Sequence, residues 1–415
     1  MKKVYFKTFG CRTNQFDTQV MMSKLKDFEL TMNENEADVI MVNSCTVTNG
    51  ADSSVRAYIS GRNRATPDAK VILAGCGSHS KGEALFANKK VFGVMGHSEK
   101  EKINEILKYD KPFYQIGDLN HIDSTIVEEF IGKSRAFIKI QEGCDFRCSY
   151  CIIPSVRGDA RSHKEEDILL QVEKLASNGF GEFILTGTNV GSYGKDQHSS
   201  MAKLLKRMSM IRGVRRIRIG SLEPIQIDDE FKELLNEPWM AKHLHIALQH
   251  TSDRMLEIMN RRNDFKSDLK LLEELSSKGY ALGTDYIVGH PGEGDKEWAE
   301  AIERVKVLPL THVHAFSYSK RDNTASAVMK PEIRGNIAKD RHRELTALIK
   351  EKNLAFRKEN SSSLEVLIEK GHDDVYHGYD QYFNKIEITS SEDLSSNWIN
   401  VAKATVKGNK NVAIH

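Results

Sequence analysis

Gly143-Cys144-Asp145-Phe146-Arg147-Cys148-Ser149-Tyr150-Cys151 is the stretch on which the reading of this chain turns. It places three thiols in a C-x3-C-x2-C array on a loop, directly after the strand-like run Ala136–Ile140. Thiolates this close together converge on one metal centre, as cysteine runs do for iron–sulfur clusters. Three ligands are one short of a closed tetrahedral zinc site or a fully ligated four-iron cluster. Two readings follow. One is a structural zinc loop with its fourth ligand elsewhere; the other is a cluster with one iron open to a small molecule. Zinc sites usually pair as C-x2-C…C-x2-C, so the open cluster is favoured, with Tyr150 placed to pack against its ligand.

Downstream of the loop, apolar strand-like runs alternate with helical ones. The strands are predicted at Ala136–Ile140, Glu182–Leu185, Arg216–Ile219, His243–Leu248, Leu282–Val288 and His312–Tyr318. Helical stretches at Lys164–Ser177, Met201–Ser209, Asp229–Asn236, Phe265–Lys278 and Asp295–Val307 separate them. Six such units predict a partial (β/α)6 barrel, with the cysteine loop at the carboxyl mouth where barrel active sites lie. Other strand ends bring polar groups to that mouth: Thr186, Gly187 and Thr188, then Ser221 and Glu223, then Gln249. Tight βα turns account for these residues equally well. Asp285, an acid inside the apolar fifth strand, demands a partner; a structural ion pair and a catalytic role both satisfy that demand. A polar, basic helix is predicted at Ile333–Asn360, its charges read mainly as a solvated face.

Upstream, Val4–Phe9, Asp38–Asn43 and Lys70–Ala74 read as strands that end at Cys11, Cys45 and Cys76, and Val91–Met95 reads as a fourth. Helical stretches at Asp17–Phe28, Ala51–Ala65 and Lys100–Lys108 alternate with them, which argues a doubly wound parallel sheet. Lone cysteines are usually small buried hydrophobes. Three at the carboxyl end of successive strands, the edge where open α/β sheets bind ligands, read instead as a second three-thiolate metal site. Lys111–Lys133 reads as a connector. Beyond Ser361-Ser362-Ser363, the strand-like runs Leu364–Lys370, Tyr376–Thr389 and Trp398–Val406 predict a small all-β barrel of OB-like size.

At 415 residues the chain is expected to hold two or three domains, and its formal charge of +2 does not announce a nucleic-acid binder. Any such role rests on local patches: Arg157, Arg161, Arg212, Arg215, Arg216, Arg218, Arg261, Arg262, Lys320 and Arg321 each read singly as a solvated charge and together as a track for a phosphate backbone, with Arg157, Arg161, Lys320 and Arg321 the chosen RNA contacts. No apolar run is long enough to span a membrane and Met1-Lys2-Lys3 leads into a strand rather than a signal peptide, so a cytoplasmic location is expected. Six cysteines in two groups of three on a long chain argue against a disulfide framework.

The C-x3-C-x2-C loop with Tyr150 resembles the radical S-adenosylmethionine superfamily. Thr8-Phe9-Gly10-Cys11-Arg12-Thr13-Asn14-Gln15, Asn43-Ser44-Cys45-Thr46-Val47-Thr48-Asn49 and Ala74-Gly75-Cys76 resemble the amino-terminal domain of its methylthiotransferase family. Ile153-Pro154-Ser155-Val156-Arg157-Gly158 and Leu248-Gln249-His250 through Met259-Asn260-Arg261 resemble that family's barrel, and the tail a TRAM domain. The resemblance implies three domains, at 1–120, 130–360 and 361–415. It implies two 4Fe–4S clusters, one on Cys144, Cys148 and Cys151 and an auxiliary one on Cys11, Cys45 and Cys76. S-adenosylmethionine would lie among Tyr150, Thr186, Gly187, Thr188, Ser221, Glu223 and Gln249. A low-potential donor such as flavodoxin or ferredoxin would supply electrons, and a TRAM-like tail would grip RNA.

Cys45-Thr46-Val47-Thr48-Asn49 followed by Ala51-Asp52 resembles the MtaB-type branch. That branch adds methylthio to carbon 2 of N6-threonylcarbamoyladenosine at position 37 in the anticodon loop of tRNA. Isopentenyladenosine-37 and a ribosomal-protein aspartate are the alternative acceptors within the family, and a zinc-stabilised RNA-binding protein without chemistry is the alternative outside it. The segment Phe316–Thr324 lacks the Pro-Gly that relatives often carry, leaving Asn323 to make the left-handed turn. His163 and His290 stand where relatives usually show Arg and Phe.

Overall fold

The computed structural model describes every residue from Met1 to His415. Its amino-terminal sheet has six parallel strands: Glu29–Leu30, Lys3–Thr8, Val39–Ser44, Lys70–Gly75, Gly93–Met95 and Phe113–Gln115, in that spatial order. Val39–Ser44 is buried along its whole length and Lys70–Gly75 along all but its first residue, as a parallel sheet covered on both faces requires. The two edge strands lie outside the expected runs. Each is only two or three residues long and bounded by polar sequence, too short for periodicity to reveal.

Two helices differ from the expectation. The first runs Arg12–Ser23 rather than from Asp17, because extended Cys11 serves as its N-cap. Another, Cys76–Ala87, was not legible at all. Two glycines lower its propensity, and one of them, Gly77, lets it press on the neighbouring strand, since a Cβ there would lie 2.4 Å from Ser44 Oγ.

The barrel follows as six parallel strands: Ala136–Lys139, Glu182–Thr186, Arg216–Ile219, His243–Ile246, Ala281–Val288 and His312–Ser317. The third continues past Gly220 as Ser221–Leu222, which pairs with the fourth and divides the barrel into two hydrogen-bonded groups. Phe16 and Val20 of the first amino-terminal helix belong to the same buried cluster as the barrel's Ile138, Ile184 and Leu185. Each such side chain contributes roughly 1.5–3 kcal/mol by burial, so this helix ties the amino-terminal unit, which keeps two apolar clusters of its own, to the barrel core.

The long helix Gly335–Glu359 leads into a six-stranded tail sheet. Its edge strands, Trp398–Lys403 and Thr405–Lys407, are separated in sequence by Ala404 alone, so the sheet must curl on itself. The expected single strand Tyr376–Thr389 is two, Val375–Tyr379 and Lys385–Thr389, joined by a turn in which Asp380 accepts from the backbone N–H groups of Tyr382 and Asn384. No helix is long and apolar enough to cross a membrane.

Candidate active site

The strands Lys3–Thr8, Val39–Ser44 and Lys70–Gly75 of the amino-terminal domain end beside the mouth of the barrel, and both cysteine trios meet there. Gly10 sits at φ 96° against Cys45, where a Cβ would come within 2.9 Å of the Cys45 sulfur. A side chain before Cys11 would therefore push two thiols apart. Cys45 and Cys76 are buried, Cys11 is exposed, and all six cysteines are free thiols. Across the seam, Cys76 packs with Ile152 and Val156 from the segment just after Cys151.

The sulfurs are aimed at by nitrogen donors. Arg157 Nε donates to Cys76 Sγ at 3.1 Å, Arg261 Nη1 to Cys148 Sγ at 3.6 Å and Asn189 Nδ2 to Cys144 Sγ at 3.6 Å. Backbone N–H groups of Val47, Phe146 and Ile153 point to Cys45, Cys144 and Cys151. Burial pushes the Cys45 and Cys151 thiols up to about 12, which makes them poor free nucleophiles that become thiolates only on a metal. Thiol trios ringed by N–H donors are the environment that iron–sulfur ligation requires.

Between the trios lies a cavity of about 250 Å³. Val47 and Thr48, just beyond Cys45, form one wall; Tyr150 and Cys151 of the loop form another; Gln249, Asp285 and Phe316 close the barrel side. The segment after the sixth strand binds the amino-terminal domain over this cavity. Arg321 pairs with Asp52 at 2.7 Å and donates to Asn49 Oδ1, Ser319 Oγ accepts from the Asn49 N–H, and Lys81 pairs with Asp322. Asn323 takes the left-handed turn at φ 64°.

The sequence-chosen residues divide in two. Tyr150, Gln249 and Asp285 share the cavity, and Ser221 Oγ donates to Asp285 Oδ2 at 3.3 Å. Glu223 is held by both terminal nitrogens of Arg261, which links it to Cys148. The backbone N–H of Thr188 donates to Gln141 Oε1, Gly187 presses on the Gln141 main chain, and Thr186 Oγ1 lies 3.3 Å from Thr13 Oγ1 of the amino-terminal domain. His290 is buried, its Nε2 2.7 Å from Ser326 Oγ, which donates in turn to Ser149 Oγ beside Cys148.

The candidate nucleic-acid contacts are largely redirected. Arg157 is 2% exposed, and besides Cys76 it binds Asp17, Glu142 and Asn14. Arg161 is buried on the carbonyls of His121, Arg157 and Asp159, and Arg321 is buried on Asp52. A guanidinium buried on partners inside the protein is withdrawn from phosphate, so these three are corrected to internal roles. Arg216 and Arg218 are likewise spent on Glu182. Lys320 alone of the four chosen cations is exposed.

The Arg157 guanidinium belongs to a buried network that sequence reasoning missed. Lys139 Nζ lies 2.6 Å from Asp17 and 3.4 Å from Glu142, and Lys100 lies 3.2 Å from Asp17 and 3.6 Å from Asp123. Burial alone would raise Asp17 and Glu142, but Lys100, Lys139 and Arg157 hold both well below the usual carboxylate range.

Comparison with known proteins agrees with this geometry. The Radical SAM superfamily model matches residues 138–305, and the model described as uncharacterized protein family UPF0004 matches 3–96. A putative methylthiotransferase of Helicobacter pylori J99 is 53% identical over 419 residues, covering all of both chains. The chain belongs to the radical S-adenosylmethionine methylthiotransferases. The threonylcarbamoyladenosine tRNA methylthiotransferase MtaB of Aquifex aeolicus is 35% identical, over 86% of this chain and 90% of its own. The ribosomal protein uS12 methylthiotransferase RimO of Acetivibrio thermocellus is 33% identical, over 88% and 84%. Among solved structures, the radical S-adenosylmethionine methyltransferase TsrM from Kitasatospora setae superposes with a TM-score of 0.60 at 15% identity, covering 79% of this chain and 77% of that one. That likeness concerns the fold. The methylthiotransferase is therefore an enzyme that works with S-adenosylmethionine and two 4Fe–4S clusters.

Proposed function

We propose that the methylthiotransferase modifies carbon 2 of N6-threonylcarbamoyladenosine at position 37 of tRNA, in the cytoplasm. The observation that carries the reading is the single cavity walled on one side by residues next to Cys45 and on the other by Cys151. Methylthio transfer needs a sulfur source and a hydrogen-abstracting centre that both reach one carbon. Cys144, Cys148 and Cys151 would hold one cluster and Cys11, Cys45 and Cys76 the other. S-adenosylmethionine, cleaved by one-electron reduction from a low-potential donor such as flavodoxin or ferredoxin, supplies the radical chemistry.

The chain's own residues position and exclude. Arg261 holds Glu223 beside the barrel trio, where its carboxylate is placed for an amine or a ribose. Tyr150 and Gln249 wall the cosubstrate side, and Arg321 clasps the two domains over the cavity to keep water from it. An anticodon-loop base reaches such a cavity only when splayed from its stack. Lys320 lies exposed at the rim, and the tail sheet presents Lys370, Lys385, Lys403 and Lys407 for the RNA backbone.

Relatives named for threonylcarbamoyladenosine at 31–35% identity favour this acceptor, while the RimO relative keeps a ribosomal-protein acceptor as the second reading. Nucleoside mass spectrometry of tRNA from a deletion strain tests it. The methylthio-threonylcarbamoyl nucleoside should vanish and its unthiolated precursor accumulate; an undiminished level would refute the acceptor assignment.

A further inference from the structure

Three parallel strands of the barrel bring a small polar cluster to the edge of the cavity. Asp285 Oδ1 lies 3.1 Å from His245 Nε2 and 3.4 Å from His314 Nδ1, and its second oxygen accepts from Ser221. The two imidazoles stack, with centroids 4.9 Å apart and planes 29° apart. His245 is nine-tenths buried. The His314 side chain is 61% exposed, and with Nδ1 turned to the carboxylate its Nε2 has no protein partner. Burial would raise Asp285, yet His245 and His314 hold it well below the usual carboxylate range.

Two residues further along the same strand face, Phe316 is 43% exposed in the cavity wall. An aromatic face beside a carboxylate-anchored imidazole offers a stacking surface for a splayed purine and an N–H donor for whatever hangs from it. Two histidines and an aspartate also form a metal-binding set, and these three ligand atoms lie within 4.8 Å of one another. The stacking disfavours a shared ion: rings 29° apart with centroids 4.9 Å apart keep their in-plane lone pairs in nearly parallel, offset planes.

We propose that His245, Asp285 and His314 form the site that reads the substituent on N6 of the acceptor adenine, selecting one that ends in a carboxylate, with His314 Nε2 as its donor. The assignment rests on the tRNA reading above. An isopentenyl group offers that donor nothing, and a site built for a charged partner discriminates strongly against one that lacks it.

The reconstituted holoenzyme is assayed with one anticodon stem-loop carrying threonylcarbamoyladenosine, isopentenyladenosine or plain adenosine, reading both Kd and turnover. Wild type should favour the threonylcarbamoyl form, and His314→Phe should cut that preference in Kd by about tenfold or more. His314→Gln, which keeps a donor, should restore part of it, and Asp285→Asn, which frees both rings, should reproduce the loss independently. A wild-type preference for isopentenyladenosine would overturn the acceptor reading and this assignment with it. A wild-type threonylcarbamoyl preference that survives in His314→Phe and Asp285→Asn would overturn this assignment alone. So would a stoichiometric divalent ion beyond the cluster iron that disappears in His314→Phe.

Discussion

The two cysteine trios each offer three thiols beside one cavity, walled by Cys151 on one side and by Val47 and Thr48, just beyond Cys45, on the other, and they are assembled by opposite routes. Cys144, Cys148 and Cys151 come from one short loop, are all partly exposed, and receive their side-chain donors, Arg261 and Asn189, from the barrel itself. Cys11, Cys45 and Cys76 come from three separate strand ends, and Cys76 takes its donor, Arg157, from the other domain. The loop trio is thus a local structure, while the strand-end trio exists only when the parallel sheet is formed and the barrel is docked against it. A centre that must open to a small cosubstrate gains from a loop with exposed edges. One that must present sulfur at a fixed place gains from a rigid sheet and a buried cation.

The largest effects should separate the trios outright. Cys148→Ala should abolish both reductive cleavage of S-adenosylmethionine and methylthio transfer. Cys45→Ala should abolish transfer but leave cleavage, with iron falling from about eight to about four per chain in each variant. Full transfer by Cys45→Ala would break the comparison.

Arg157→Met comes next. It leaves Asp17 and Glu142 short of a buried counter-ion, a loss of about 3–5 kcal/mol that a denaturant melt would read. Arg157→Lys keeps the charge but withdraws the directed bond to Cys76. It should lower the midpoint potential of the strand-end cluster, because a thiolate robbed of a hydrogen bond disfavours the added electron. The potential of the loop cluster should stay put, as a redox titration followed by electron paramagnetic resonance would show. Equal shifts in both would mean that Arg157 acts through the fold at large.

A third prediction concerns the far end of the barrel, where Glu182 serves Arg216 and Arg218 with no cofactor near. Burial would raise its pKa, but the arginines bring it from 4.5 to about 2. Its contribution is therefore complete above the unfolded value of 4.5 and is lost as pH falls through about 2. Melting temperature followed from pH 6 downward should drop less steeply in Glu182→Gln than in wild type, from a lower starting value. The smallest effect belongs to Lys320→Ala, which should weaken stem-loop binding uniformly across the three bases and reduce the salt slope by about 1.

Much of this was legible before any coordinates. The C-x3-C-x2-C spacing, the three cysteines closing three apolar runs and the six alternating units in the barrel all depend on neighbours near in sequence, where periodicity and spacing carry information. The helix Cys76–Ala87 was not legible, since its glycines answer to close packing, Gly77 on Ser44 and Gly82 on Val94, rather than to helix propensity. Nor were the fates of the arginines. Arg157 and Arg321 look like any loop cations in the sequence, yet one anchors Cys76 and the other latches Asp52. Likewise His245 and His314 are 69 positions apart in number and 4.9 Å apart in space.

What the order of residues settled was the kind of chemistry: two sets of three sulfurs, each on an α/β scaffold, because ligand type and strand rhythm are local properties. Which charges face inward, which imidazoles meet over one carboxylate, and how one domain's guanidinium comes to rest on the other's sulfur were settled only by folding. Those are pairings between distant segments, and burial alone decides whether a charge meets water or a partner.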